Sequence, residues 1–128
     1  MMNPTAPKVM VVDDDEDFTR LYKSSLSAMG FDATAVNRSA AALEMAYLIQ
    51  PDIFVIDLMM PEIDGFELCR SLRKISIFRQ TPVIIITALT DEDNMKAAMD
   101  AGANDYLAKP FHINDLKQRI NTLLEQAS

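Results

Sequence analysis

The chain has 128 residues, of which 49% are hydrophobic and 24% charged, a composition typical of one folded domain with a buried core. Its apolar runs fall well short of the roughly 20 residues that cross a bilayer, which predicts no membrane span. The net charge of −7 would repel nucleic-acid phosphates and anionic lipid surfaces, so neither is expected as a direct partner. The single cysteine, Cys69, can form no internal disulfide, and a reducing cytoplasm is the expected location.

The first third of the chain predicts two strands separated by a helix. Residues 8–12 form a short apolar run suited to a buried parallel strand. Residues 18–29, including Leu21, place apolar side chains at helical spacing, and Gly30 is positioned to end that helix. Residues 31–36 predict a second strand, which is short of large apolar residues and is therefore expected at an edge of the sheet.

The middle of the chain predicts two helices around a buried strand. A helix over residues 39–50 is expected to be capped by Ser39 and to turn Tyr47 toward the core. Residues 53–57 are apolar up to their last position, which indicates a central strand. Gly65 is expected to be a turn residue, and apolar residues at helical spacing follow it.

The last third predicts two more strands, each followed by a helix. Residues 83–87 are all β-branched and give the clearest strand signal. A helix over 91–101 is expected to end at Gly102. Residues 105–108 predict a short fifth strand, and 113–124 predict the last helix.

This strict alternation of strands and helices predicts an α/β fold in which a parallel sheet has helices on both faces. Residues 1–7 are expected to be a loose tail, and 8–128 to form one domain. In open sheets of this class, the ligand site lies at the carboxyl ends of the strands. The side chains at those ends therefore carry the functional prediction.

Four of the five strands end in a polar or charged residue. Asp13 and Asp14 follow the first strand, Asp57 ends the third, Thr87 ends the fourth and Lys109 follows the fifth. Three carboxylates at one edge of a sheet would repel one another unless a cation compensates them. A hard cation such as Mg²⁺, which takes carboxylate and phosphate oxygens, suits this set, and so does a lysine.

These residue types favour phosphoryl chemistry. Asp57 could attack phosphorus as a carboxylate nucleophile and form an acyl phosphate. A metal ion and Lys109 would neutralise the phosphoryl oxygens, and the Thr87 hydroxyl would donate a hydrogen bond to one of them.

Four segments carry a resemblance to a known family: KVMVVDDD, DLMMPEIDG, VIIITA and YLAKPF. In order and spacing they resemble the receiver domains of response regulators, over residues 8–124. The resemblance implies a flavodoxin-like (βα)5 three-layer sandwich whose five-stranded parallel sheet has the order 2-1-3-4-5. It also implies a signalling switch, rather than an enzyme with an external substrate, that takes its phosphoryl group from a histidine kinase or a phosphotransfer protein.

The resemblance also implies a role for each site residue. The implied ligands of Mg²⁺ are the carboxylate of Asp14, that of Asp13 mainly through water, that of Asp57, and the backbone carbonyl of Met59. Thr87 and Lys109 would contact the phosphoryl group, the Lys109–Pro110 peptide bond would be cis, and Tyr106 would rotate on activation. His112 departs from the family, which often has Asp or Ser there to begin the last helix.

What acts downstream is open. The surface of the fourth helix, the fifth strand and the fifth helix would change on phosphorylation and be read by an effector protein or by an output domain. The residues do not tell whether the chain is a single-domain regulator or a receiver cut from a longer protein.

Three alternatives compete with this interpretation. Asp13 and Asp15 form a D-x-D like that of haloacid-dehalogenase-type phosphatases, in which Asp13 would be the nucleophile, but Glu16 and Asp17 replace the Gly-Thr that follows it. The acidic spacing also matches a calcium-binding EF-hand loop, yet Phe18 occupies the position of its required glycine. A flavin carrier of the same fold would need a Gly/Ser/Thr-rich phosphate loop after the first strand, which is absent from the sequence.

Overall fold

The computed structural model describes residues 6–89 and 91–127. Five strands alternate with five helices: β1 (Lys8–Val12), α1 (Glu16–Ala28), β2 (Asp32–Val36), α2 (Ala42–Ile49), β3 (Ile53–Asp57), α3 (Gly65–Arg73), β4 (Val83–Thr87), α4 (Glu92–Asp100), β5 (Asp105–Ala108) and α5 (Ile113–Ala127). Short 3-10 turns over Ser39–Ala41 and Ser76–Phe78 precede α2 and β4. Within the described ranges, no helix is long and apolar enough to span a bilayer.

The five strands form one parallel sheet in the order β2-β1-β3-β4-β5, which confirms the predicted topology and the edge position of β2. The chain runs from β1 outward to β2 and then crosses back to β3 on the other side of β1. The carboxyl ends of β1 and β3 therefore flank the point where the strand order reverses, which is where open α/β sheets bind ligands.

Two apolar cores lie on opposite faces of the sheet. On one face, alternate strand residues pack against α2, α3 and α4, and on the other face they pack against α1 and α5. Strands buried on both faces need continuous apolar runs, and β3 and β4 are buried along their whole lengths. The predicted three-layer sandwich is confirmed.

Acidic residues begin three of the helices. The carboxylates of Asp15, Asp64 and Asp91 accept hydrogen bonds from backbone N–H groups in the first turns of α1, α3 and α4. At the other ends of α1 and α4, Gly30 and Gly102 have φ of 97° and 104°, which glycine adopts without steric cost. The predicted ends of these two helices are therefore confirmed to within two residues.

Ser39 does not cap α2, contrary to the prediction. The Ser39 hydroxyl donates to the carbonyl of Pro61 (2.8 Å) and accepts from the N–H of Ile63 (3.1 Å), while α2 begins three residues later, at Ala42. Ser39 is a buried bridge between two loops because a hydroxyl can satisfy a donor and an acceptor at once.

Tyr47, which was predicted to face the core, and Leu21, which belongs to the apolar pattern of the first helix, are both exposed. Leu21 is 62% exposed and Tyr47 is 53% exposed. In α1 the buried face is formed by Thr19, Tyr22 and Leu26, and Leu21 lies about 100° around the helix from Tyr22. Apolar spacing alone did not show where the buried stripe of either helix ends.

Candidate functional site

The predicted acidic residues meet at the carboxyl ends of β1 and β3. These strands are neighbours, and Asp13, Asp14 and Asp57 each offer a carboxylate oxygen within 4.8 Å of the others. Asp13 and Asp57 are buried, at 1% and 6% exposure, whereas Asp14 is exposed. The cluster therefore has two carboxylates held inside the fold and one that faces solvent.

Lys109 supplies the positive charge nearest to the two buried carboxylates. Its Nζ lies 3.1 Å from Oδ2 of Asp13 and 3.4 Å from Oδ1 of Asp57. The backbone N–H of Lys109 also donates to the carbonyl of Thr87, which attaches the end of β5 to the end of β4. As the resemblance implied, the peptide bond between Lys109 and Pro110 is cis.

Lys109 alone does not fully compensate the negative charge of the carboxylate cluster. Burial, together with the like charge of Asp13, raises the pKa of Asp57 from its usual 3.8 to about 6, although Lys109 lowers it. Burial also raises the pKa of Asp13, against the lowering effect of the Asp15 backbone N–H and of Lys109. A carboxylate cluster with a residual excess of negative charge, made of oxygen donors alone, fits a hard divalent cation such as Mg²⁺.

Thr87 and Tyr106 lie on the same face of the sheet. Thr87 pairs in register with Ala108, and Ala108 lies two residues after Tyr106 on the same strand. Thr87 is buried, and its Oγ1 accepts a hydrogen bond from the N–H of Leu89 (3.2 Å). The Tyr106 hydroxyl is also buried, and in the part of the chain that the structure describes it has no hydrogen-bond partner. Burial, and the charge of Asp91, raise the pKa of this hydroxyl.

Met59 lies two residues beyond Asp57, and its side chain is 63% exposed. Its predicted role rests on its backbone carbonyl, so the solvent-facing side chain is compatible with it. His112 is exposed, and its backbone carbonyl accepts the N–H of Asp115 and that of Leu116 as α5 begins. The helix thus starts at the predicted residue, and the main chain of His112 takes part in its first turn.

Gly65 is a helix residue, not the turn residue that was predicted. It opens α3, and its N–H donates to the carbonyl of Leu58 (2.9 Å). A Cβ on Gly65 would lie 2.7 Å from the backbone oxygen of Asp57 and 2.8 Å from the Cα of Leu58. Only glycine therefore lets α3 pack this closely against the segment that carries Asp57.

Two residues near the cluster were missed by sequence reasoning. Asn37 follows β2, and its side-chain amide donates to the backbone carbonyl of Asp13 (3.0 Å) and to Oγ1 of Thr19 (2.7 Å). Phe18 belongs to the apolar pattern of α1, and its ring lies beneath the ammonium of Lys109. Asn37 could have been found from the sequence as the polar residue that directly follows β2, the one strand for which no site residue was predicted.

Comparisons with known proteins agree with this geometry. A family model described as the response regulator receiver domain matches residues 9–121, so the chain belongs to this family of two-component signalling domains. Response regulator MprA of Mycobacterium leprae is 40% identical over 119 residues, which cover 93% of this chain and 51% of MprA. The chain spans about half the length of the curated relatives it matches.

Solved receiver domains have the same fold. The receiver domain of the Francisella response regulator 1452 is 38% identical, with a TM-score of 0.88 over 95% of this chain and 99% of that one. The beryllofluoride-activated receiver domain of Klebsiella pneumoniae RstA is 30% identical, with a TM-score of 0.85 over 91% and 97%. The phosphatase alternative receives no support from these matches.

Proposed function

We propose that Asp57 accepts a phosphoryl group from a phosphohistidine of a histidine kinase or phosphotransfer protein, with Mg²⁺ held beside it. The observation that carries this proposal is the position of Asp57. Its carboxylate ends a fully buried strand, lies within 4.8 Å of two other carboxylates and contacts the ammonium of Lys109. A nucleophile, a cation site and a positive side chain therefore meet at one sheet edge.

In this reaction an oxygen of Asp57 forms a bond to phosphorus while the bond from phosphorus to the donor imidazole nitrogen breaks, and the nitrogen keeps its electron pair. Lys109, which contacts Asp57 before transfer, is close enough to contact the phosphoryl oxygens afterwards. Asp13 and Asp14, with Asp57 and the backbone carbonyl of Met59, would hold Mg²⁺, which neutralises charge on the transferred group.

Thr87 links this chemistry to a distant surface. The phosphoryl group would give the Thr87 hydroxyl a charged acceptor in place of its contact with the backbone of Leu89. Movement of Thr87 would open space on the face it shares with Tyr106, whose buried hydroxyl lacks a partner. Rotation of Tyr106 would then alter the surface of α4, β5 and α5, where Met95 and Met99 are already exposed.

We infer that residues 8–128 form the receiver, that they act in the cytoplasm, and that an effector protein or an output domain reads the altered surface. Because the described acidic surface repels phosphates, we expect these residues not to contact nucleic acid directly. The domain would catalyse only its own phosphorylation and dephosphorylation.

Incubation with acetyl phosphate and Mg²⁺ tests the proposal without a kinase. We expect intact-mass spectrometry to show one added phosphoryl group that hydroxylamine removes, as it removes acyl phosphates. Asp57→Asn should abolish the addition, whereas the matched control Asp100→Asn, at the exposed end of α4, should retain it. Full phosphorylation of Asp57→Asn at another residue would show that the acceptor is assigned wrongly.

A further inference from the structure

The ammonium of Lys109 has an aromatic neighbour besides its two carboxylates. Its Nζ lies over the ring of Phe18, 4.1 Å from the ring centroid. The face of an aromatic ring carries partial negative charge and attracts a cation at this distance. We propose that Phe18 is a positioning residue for phosphoryl transfer, which holds the ammonium of Lys109 beside Asp57. This inference rests on the proposed function.

Phe18 is itself held in place from several directions. Its backbone N–H donates to the carboxylate of Asp15, the N-cap of α1 (3.1 Å), and its ring contacts Tyr22 edge to face, with centroids 3.8 Å apart. Tyr22 in turn stacks on Phe111, with centroids 5.5 Å apart. Because Phe111 lies two residues after Lys109, this aromatic row joins α1 to the segment that carries the lysine.

Such a support matters for Lys109 because its contact with Asp57 changes during the reaction. Its stem has four rotatable bonds, and its side chain is 24% exposed, so it can leave the site at a gain in conformational entropy. Phosphorylation of Asp57 moves the negative charge that Lys109 now contacts from the carboxylate to the phosphoryl oxygens. The ring of Phe18 keeps its attraction and accepts no conventional hydrogen bond, so the N–H donors of Lys109 stay available for phosphoryl oxygens.

Three variants separate this role from simple packing. Phe18→Leu keeps an apolar side chain but removes the ring, Phe18→Tyr keeps the ring, and Phe31→Leu makes the same chemical change in the same core layer at the opposite end of the sheet. We expect Phe18→Leu to slow phosphorylation by acetyl phosphate about three- to tenfold. Phe18→Tyr should stay within about twofold of wild type, and so should Phe31→Leu.

Nuclear magnetic resonance gives a readout that needs no phosphorylation. In the metal-free wild type, the ring current of Phe18 should shift the ε-methylene protons of Lys109 upfield. The shift should disappear in Phe18→Leu and persist in Phe18→Tyr and Phe31→Leu. In a Lys109→Gln background, adding Phe18→Leu should cause no further loss of beryllofluoride affinity, because its effect would act through the lysine.

The inference is overturned if Phe18→Leu leaves the Lys109 resonances and the phosphorylation rate unchanged. It is also overturned if Phe18→Tyr loses as much as Phe18→Leu, or if Phe31→Leu loses as much, since packing would then explain the effect. A wild-type protein that acetyl phosphate cannot phosphorylate would instead refute the proposed function, and with it any role of Phe18 in transfer.

Discussion

Asp57 and Asp13 are two carboxylates that the fold buries side by side. Each is less than a tenth exposed, and they share one lysine whose Nζ lies closer to Asp13 than to Asp57. Of the two, Asp57 has the more distant compensating charge, and burial together with Asp13 raises its pKa to about 6. The burial of Asp57 beside Asp13 therefore contributes to the reactivity of Asp57 and also costs folding free energy.

This cost predicts how stability depends on pH without metal. The folded state binds a proton on Asp57 up to about pH 6, whereas the unfolded chain releases it near the usual value of 3.8. The folded state thus binds more protons in this window, so the free energy of unfolding should fall as pH rises from about 4 to about 6. The loss from this group should be on the order of 2–3 kcal/mol.

Urea unfolding in EDTA at pH 5 and pH 7 measures this effect. Asp57→Asn should gain stability relative to wild type, and the gain should be larger at pH 7 than at pH 5. Asp100→Asn, which changes an exposed carboxylate, should show no such dependence. An equal gain at both pH values would mean that Asp57 does not titrate in the predicted window.

Among the elements, α3 and the turn between α4 and β5 are joined by one guanidinium. Arg73, at the end of α3, donates to the carbonyl of Gly102 from two nitrogens (2.9 and 2.7 Å) and to the carbonyls of Phe78 (2.8 Å) and Thr81 (2.6 Å). It also donates to the side chain of Asn104 (2.8 Å). Planar, fixed donors allow one side chain to serve all four acceptors, which a lysine cannot do.

Replacement of Arg73 should therefore be costly even by another cation. We expect Arg73→Lys to lower the free energy of unfolding by about 2–4 kcal/mol, because carbonyls at a part-buried site lose their donors. Arg70→Lys, at an exposed position on the same helix, is the matched control and should change it by less than about 0.5 kcal/mol. Similar small effects at both positions would show that backbone contacts alone hold this turn.

The same anchor holds the C-terminal end of α4. Gly102, just beyond α4, contacts Arg73, whereas Asp91 begins the helix near the site and is exposed. Beryllofluoride with Mg²⁺ should therefore shift the backbone resonances of residues 91–95 and of Tyr106 more than those of Gly102. Asp57→Asn should show none of these shifts. Shifts confined to the neighbours of Asp57 would rule out this route from the site to the surface.

Across the whole molecule, a cation at the acidic cluster should stabilise the native state. The three carboxylates come together only in the fold, so Mg²⁺ should bind the folded chain and not the unfolded one. At a concentration about 100 times its dissociation constant, such a ligand adds about 2.7 kcal/mol. The melting temperature should rise with Mg²⁺ and report this gain directly.

Asp14→Ala should remove most of that rise, because Asp14 is the exposed carboxylate of the cluster. Asp17→Ala removes another exposed aspartate, which lies in α1 outside the cluster, and should keep the full rise. If Asp14→Ala retains the response of the wild type, Mg²⁺ binds elsewhere on the protein.

The amino-acid sequence was sufficient to predict the order of elements, the parallel sheet and the meeting of Asp13, Asp14 and Asp57 at one edge of that sheet. Continuous apolar runs mark buried strands, and the polar residue at the end of such a run marks the site, as Asp13 does after β1 and Asp57 does at the end of β3. The strand order and the cis bond came from the resemblance to a family, since local patterns do not specify which strands are neighbours.

Only the tertiary structure decided which residues distant in the sequence come into contact. Phe18 and Lys109 are 91 positions apart by their numbers, and Arg73 and Gly102 are 29 apart. Their contacts depend on how closely helices pack on the sheet, which periodicity does not encode. The same reason explains why Tyr47 is exposed and why α3 approaches the backbone of Asp57 so closely at Gly65. A sequence pattern gives the direction of a side chain on its own element, whereas the neighbouring element determines what that side chain contacts.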